Sequence, residues 1–204
     1  MDDPIIGVRA RVNNQSDASI NFDLFVDISP KGQKDKQATV NTEGNAARGG
    51  NAALIGAEIG KKDKGTQWKI KFELGAYGKA EGYNAETGLK KSESDSYSTL
   101  DINFTWQWSW PIFSLDLTGG IGSEGKVSGS DVSGATPVSI EEAAHSVVNL
   151  GVKLAWTLIP DKLNINWDIY GIGHADHDYQ SGTDTLQIKD EAEGSSALGL
   201  SYQF

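Results

Sequence analysis

Leu100-Asp101-Ile102-Asn103-Phe104-Thr105-Trp106-Gln107-Trp108-Ser109-Trp110 alternates, residue by residue, between large apolar and polar side chains. A period of two belongs to a strand whose two faces meet different surroundings. The run is about as long as a tilted strand needs to cross a bilayer, roughly 9 to 11 residues. Its greasy face either packs into a soluble core or meets lipid while the polar face lines an enclosed interior. That choice governs the reading of the whole chain.

The same alternation recurs on both sides of this run. Phe113, Leu115, Leu117, Gly119 and Ile121 oppose Ser114, Asp116, Thr118 and Gly120. Val148, Leu150, Val152, Leu154, Trp156 and Leu158 oppose Asn149, Lys153 and Thr157. Leu163, Ile165, Trp167 and Ile169 oppose Asn164, Asn166, Asp168 and Tyr170. Upstream, Ile6, Val8, Ala10 and Val12 oppose Arg9 and Arg11; Ile20, Phe22, Leu24, Val26 and Ile28 oppose Asn21, Asp23 and Asp27; Trp68, Ile70, Phe72 and Leu74 oppose Lys69, Lys71 and Glu73. Weaker segments span 36–44 and 51–61. The last strand, Ser195 to Phe204, puts Leu198, Leu200, Tyr202 and Phe204 on one face. The sum is about ten strands, an even number that sets both chain ends on one side of a closed barrel. Eight or twelve are the alternatives.

Composition narrows the class. The 204 residues suffice for one sizeable domain, 1–204. Only 38% are hydrophobic, 24 are glycine, and no stretch approaches the roughly 20 apolar residues of a membrane helix. A barrel strand shows lipid only every second residue, so this is the hydropathy such a barrel gives. There is no cysteine, which excludes disulfides and thiolate metal sites. A net charge of −10 argues against nucleic acid as partner. Met1-Asp2-Asp3-Pro4 reads as an initiator placed on an already processed mature chain.

Two further signals agree. Connections alternate short (Trp110-Pro111-Ile112; Ile159-Pro160-Asp161-Lys162; 61–65) and long (79–95, 123–145, 175–193). Trp68, Trp106, Trp108, Trp110, Trp156 and Trp167, with Tyr202 and Phe204, fall in the half nearest the short turns. Aromatic rings collect at a membrane interface, where one edge is apolar and the other can hydrogen-bond.

On these features the chain resembles the small outer-membrane β-barrel proteins of Gram-negative bacteria. The most specific element is the last strand, where Leu200, Tyr202 and terminal Phe204 match that family's C-terminal assembly signal. The resemblance implies a closed antiparallel transmembrane barrel, short periplasmic turns and long external loops. It implies an integral outer-membrane location among lipid and lipopolysaccharide, and recognition of Tyr202 and Phe204 by the barrel-assembly machinery. A monomer is expected. Two enzymatic relatives of this architecture are not matched. Omptin-type proteases need paired aspartates with an Asp–His couple, and His174, Asp176 and His177 crowd one loop instead. Lipid A deacylases carry His-x-Ser, from which His145-Ser146 departs. The chain is read as no enzyme.

The chemistry then lies in the interior and the loops. Arg9, Arg11, Asp23, Asp27, Lys69, Lys71, Glu73, Asp101, Asp116, Lys153 and Asp168 all oppose the greasy stripe. An outward Arg or Lys at the bilayer midplane would cost about 2 to 4 kcal/mol. Asp116, Lys153 and Asp168 reach a similar height on consecutive strands, and Arg9 is expected to pair with Asp23. The face is an ion-pair network or a charged constriction that selects ions. Inward small residues (Gly56, Gly60, Gly75, Ser114, Thr118, Gly120, Gly151, Thr157, Gly199 and Ser201) leave room for a narrow wet path. The expected function is a small, weakly cation-preferring pore for ions or small polar solutes. The alternative is a plugged barrel with a structural or adhesin-like role through acidic loops. A hydrolase comes third, since no nucleophile–base–orienter set assembles.

Lysines 31, 34, 36, 61, 62, 64 and 162 are assigned to the short-turn end. His174-Ala175-Asp176-His177-Asp178 has metal-like composition, but physiological sites draw ligands from several elements, so no metal and no cofactor are assigned. Ser139-Ile140-Glu141-Glu142 reads as a capping box opening a short helical turn, with Glu141 and His145 facing each other.

Overall fold

The computed structural model describes residues 5–14, 16, 20–30, 35–37, 50–159 and 163–202. The strands are β1 (Ile6–Asn13), β2 (Asn21–Ser29), β3 (Asp35–Gln37), β4 (Gly50–Asp63), β5 (Thr66–Asn84), β6 (Lys90–Ser94), β7 (Tyr97–Ser109), β8 (Phe113–Glu124), β9 (Val127–Asp131), β10 (Val138–Glu142), β11 (His145–Ile159), β12 (Leu163–His174), β13 (His177–Ser181), β14 (Asp184–Ile188) and β15 (Ala192–Tyr202). All belong to one sheet, with no helix among the described residues.

The sheet has two tiers. In the lower tier β1, β2, β4, β5, β7, β8, β11, β12 and β15 follow one another, each antiparallel to its neighbours. In the upper tier β5 is followed by β6, β9, β10, β13 and β14. The two orders correspond, because each upper strand continues a lower one across a short break: β6 into β7, β8 into β9, β10 into β11, β12 into β13, β14 into β15. Backbone bonds stitch the breaks, among them Gly125 N to Ser98 O at 2.7 Å, Ala143 N to Asp178 O at 2.9 Å and Ala175 N to Ser146 O at 2.8 Å. Among the described residues only β5 runs unbroken through both tiers, over 19 residues.

Turn chemistry fixes the hairpins. Asp63 pairs with Thr66 around Lys64-Gly65, where Gly65 takes φ +80°, and Ser181 pairs with Asp184 around Gly182 at φ +61°. Two-residue hairpin turns need positive φ to match the twist of the strands, and glycine adopts it without strain.

Several expectations need correction. The long connections at 79–95, 123–145 and 175–193 are not irregular loops; they carry most of the upper tier. Ser139–Glu142 is strand, not a helical turn, because β10 pairs with both β9 and β13. The segment 36–44 lies outside the described residues save at its start, where Asp35–Gln37 pairs in parallel with Gly82–Asn84. Since β2 pairs directly with β4, the lower tier has odd parity among the described residues, and β1 and β15 run in the same direction. Ile6 and Tyr202 therefore stand at opposite ends of the wall, not on one side. Lys36, opposite Tyr83 near the top of β5, is at the long-connection end rather than the short-turn end. Lys31, Lys34 and Lys162 lie outside the described residues. Among the described residues the sheet is not closed into a barrel: β1 and β15 are the free edges of the lower tier, and β1 is exposed along its whole length.

Burial is inverted relative to a water-soluble sandwich. Among the described apolar side chains only Phe25 and Val147 are buried, whereas Asp23, Asn149, His145 and His177 are. Leu24, Val26, Ile28, Leu74, Ile121, Leu150, Leu198 and Leu200 are exposed on the opposite face. The covered face is the polar one.

Candidate functional site

The antiparallel register gathers the charged residues on one face. Arg11 stands opposite Asp23, and its guanidinium grips that carboxylate through Nε–Oδ1 at 2.7 Å and Nη2–Oδ2 at 2.8 Å. The expected Arg9–Asp23 pair does not form, because register sets Arg9 opposite Phe25; Arg9 reaches Glu58 instead, at 3.7 Å. Lys69 also approaches Glu58, at 3.4 Å, and Lys71 pairs with Glu73 at 2.6 Å. Phe25, 3% exposed, lies between Arg9 and Lys71, whose charged ends sit 5.4 and 5.0 Å from its ring centre. A cation over an aromatic face is attracted by the ring's quadrupole.

Lys153 stands opposite both Asp116 and Asp168, as the sequence spacing implied. Its Nζ lies 3.5 Å from Asp168 Oδ1, while Asp116 Oδ1 is buried without a hydrogen-bond partner. Asp116 lines a polar recess of about 220 Å³ with Gln67, Lys69, Thr105 and Gln107. Asn149 Nδ2 donates to Asn103 Oδ1 at 2.9 Å, crossing the strand between them above Gly120.

That bond shows what the inward glycines do. A Cβ on Gly120 would meet Asn149 Nδ2 at 2.8 Å, one on Gly60 would meet Lys69 Cγ at 3.1 Å, and one on Gly151 would meet Tyr170 Cδ2 at 3.2 Å. Cβ atoms on Gly7, Gly56, Gly122 and Gly199 would strike Asp27, Phe25, Asp101 and Asn166. Each glycine is a bay into which a neighbouring strand's side chain lies down. The room the sequence suggested at these positions is therefore already partly filled.

Sequence reading missed Phe25, Glu58, Asn103 and Asn149 as partners on this face. The available signal was the two-residue register: Phe25 shares its face with Asp23 and Asp27, and Asn103 and Asn149 share theirs with Asp101 and Lys153.

The aromatic residues gather at the short-turn end. Register pairs Trp68 with Trp106, Phe113 with Trp156, and Leu163 with Tyr202. Phe104, Trp106 and Trp108 form one run of ring contacts at 6.0 and 5.6 Å; Trp110, Phe113 and Trp156 form another at 5.5 and 5.4 Å. Trp167 Nε1 donates to Ser196 Oγ at 2.8 Å. Phe204 lies outside the described residues.

The histidine-rich segment splits. His174 ends β12 and His177 begins β13, both on the covered side, while Asp176 and Asp178 are exposed and Asp176 Oδ1 accepts from Asp190 N at 3.2 Å. Glu141 does not face His145; it pairs with Lys126 at 2.6 Å. No protein family, no curated protein and no solved structure matches this chain.

Proposed function

We propose that the chain is an integral outer-membrane protein whose lower tier spans the bilayer and encloses a narrow, weakly cation-preferring pore. One observation carries the reading: the apolar face is exposed over the length of the lower tier while Asp23, Asn149 and His145 are covered. In water such a surface is an aggregation hazard, and in hydrocarbon it is what a barrel needs. The wall closes by pairing the free edges of β1 and β15. Both run the same way, so the seam is parallel, as in membrane barrels of odd strand number. The short-turn aromatics sit at one interface and the upper tier projects beyond the other. Asp23, Asp27, Glu58, Glu73, Asp101, Asp116 and Asp168 outnumber Arg9, Arg11, Lys69, Lys71 and Lys153 on the lining, which favours cations. The chain acts as a monomer.

The filled glycine bays favour a second reading, a plugged barrel whose upper tier serves as an acidic interaction surface. Single-channel recording of the protein refolded into a planar bilayer separates the two. The pore gives small, uniform, cation-selective steps; no current above the lipid background removes it and leaves the plugged reading. A fold that forms only with detergent or lipid, with heat-dependent gel mobility, is expected under both. A monodisperse fold in plain buffer would overturn both.

A further inference from the structure

All three histidines of the chain meet at the break between the tiers, although 29 residues separate His145 from His174. His145 opens β11, His174 closes β12 and His177 opens β13. Glu124, closing β8, and Glu142, closing β10, complete the group. The His145 and His177 side chains are 3% and 1% exposed, and their rings stack at 4.0 Å with 11° between planes.

Two overlapping triads result, sharing His145: Glu124–His145–His174 and Glu142–His145–His177. In the first, His145 Nε2 lies 3.0 Å from His174 Nδ1 and 3.6 Å from Glu124 Oε2. In the second, His177 Nε2 lies 3.1 Å from Glu142 Oε1. Tetrahedral zinc with bonds of about 2.0–2.1 Å places its ligand atoms about 3.3 Å apart. In the first group the separations, 3.0 and 3.6 Å, bracket that value; in the second, Glu142 Oε1 lies 3.1 Å from His177 Nε2 but 3.8 Å from His145, and there through Nδ1.

Two independent features point to a ligand. Nδ1 of His145 sits 3.2 Å from Ala143 O, and Nδ1 of His177 sits 2.9 Å from Ala175 O. A ring that donates Nδ1–H to a backbone carbonyl holds Nε2 as a bare lone pair, the arrangement that orients metal-binding imidazoles. In His177 that Nε2 is buried, and the Glu142 carboxylate 3.1 Å away is its near polar neighbour without meeting it along a hydrogen-bond line, the disposition of two ligands that face a common ion rather than each other. In addition, Glu124 and Glu142 both line a cavity of about 410 Å³ in the upper tier, which offers an entry path and space for a water ligand.

We propose that this break holds one divalent ion of the zinc class, with His145 as the shared ligand and either His174 with Glu124 or His177 with Glu142 as the others. Imidazole with carboxylate suits zinc, nickel and copper better than calcium or magnesium. The site does not depend on the pore reading.

The test is Zn²⁺ titration of the refolded, metal-free protein by calorimetry, with Cu²⁺ electron paramagnetic resonance to count coordinated imidazole nitrogens. Wild type should bind one equivalent, and the copper spectrum should show two nitrogens. His145→Ala should weaken binding by about 100-fold or more, beyond the 10- to 100-fold typical of an outer-shell loss. At least one of the near-isosteric variants Glu124→Gln and Glu142→Gln should weaken it too, and the one that does identifies the triad. These keep the test valid if His145→Ala misfolds. Asp178→Asn, on the exposed side, should bind as wild type does. Absence of saturable binding, a nitrogen-free copper spectrum, or affinity unchanged in both glutamine variants would overturn the assignment.

Discussion

Replacing Leu150 with arginine asks directly which medium the apolar face meets. Leu150 is 66% exposed, lies midway along β11, and stands opposite Gly119 and Gly171 in the neighbouring strands. If that face were in water, an exposed Leu→Arg change would stay within about 0.5 kcal/mol. In hydrocarbon, an arginine near the midplane costs about 2 to 4 kcal/mol. At 1.36 kcal/mol per decade this is a shift of about 30- to 900-fold in the folding equilibrium. Leu186 supplies the control: it is 63% exposed but belongs to β14 in the upper tier. Leu186→Arg should remain near zero. The assay is reversible denaturant unfolding in lipid vesicles, followed by emission of the six tryptophans. Equal, small effects at Leu150 and Leu186 would refute the outward assignment of the lower tier.

Three other outcomes are expected. Asp23→Ala and Arg11→Ala, measured singly and together in the same unfolding assay, should show a coupling of about 1 to 3 kcal/mol for a bidentate, charge-assisted pair, and near-additive effects would mean the grip contributes nothing. Gly120→Ala should destabilise by about 1 to 3 kcal/mol, because the added methyl intrudes on the Asn103–Asn149 bond; a neutral result would show the bay to be open. The upper tier should also respond to pH through Lys90. Its hydrogen bonds from Nζ to Glu93 at 2.7 Å and Glu81 at 3.0 Å hold the ammonium above the usual lysine range, and they hold the Glu93 carboxyl below the usual carboxylate range. The lowered acid contributes stability above its unfolded pKa and loses it as pH falls through the folded value. The raised base contributes fully below its unfolded pKa and loses that as pH rises through the folded value. Amide exchange in Lys90–Ser94, corrected for intrinsic rates, should therefore rise at both extremes in wild type and lose both slopes in Lys90→Ala.

The lower tier was legible because its strands alternate cleanly. From Leu100 to Trp110 and from Val148 to Leu158, each side chain's face follows from parity alone, and Lys153 between Asp116 and Asp168 follows from counting residues from a tight turn. The upper tier was not legible. β6, β9 and β13 are short and built mostly from serine and charged or other polar residues, so nothing in Ser128-Gly129-Ser130 distinguishes strand from loop until a partner strand satisfies its backbone. The Arg9–Asp23 expectation failed for a similar reason: alternation fixes the face of each residue but not the offset between β1 and β2, which sets Arg11 rather than Arg9 opposite Asp23. The histidine group was half visible. His174 and His177 lie three residues apart in sequence, but His145 joins them only because β11 and β12 pair along their length, a contact that no local pattern encodes.

The unbroken β5 gives the molecule a mast. β6, β9, β10, β13 and β14 are each jointed at the break, so any rocking of these strands against the wall must turn about β5, and the displacement grows with distance from it. Five strand spacings of about 4.8 Å separate β5 from β14, a lever of about 24 Å, so a tilt of about 10° would carry the far hairpin by about 4 Å. Glu142 and His177 ride on the moving part while Glu124, His145 and His174 stay with the wall, so such a swing would part Glu142 and His177 from the other three.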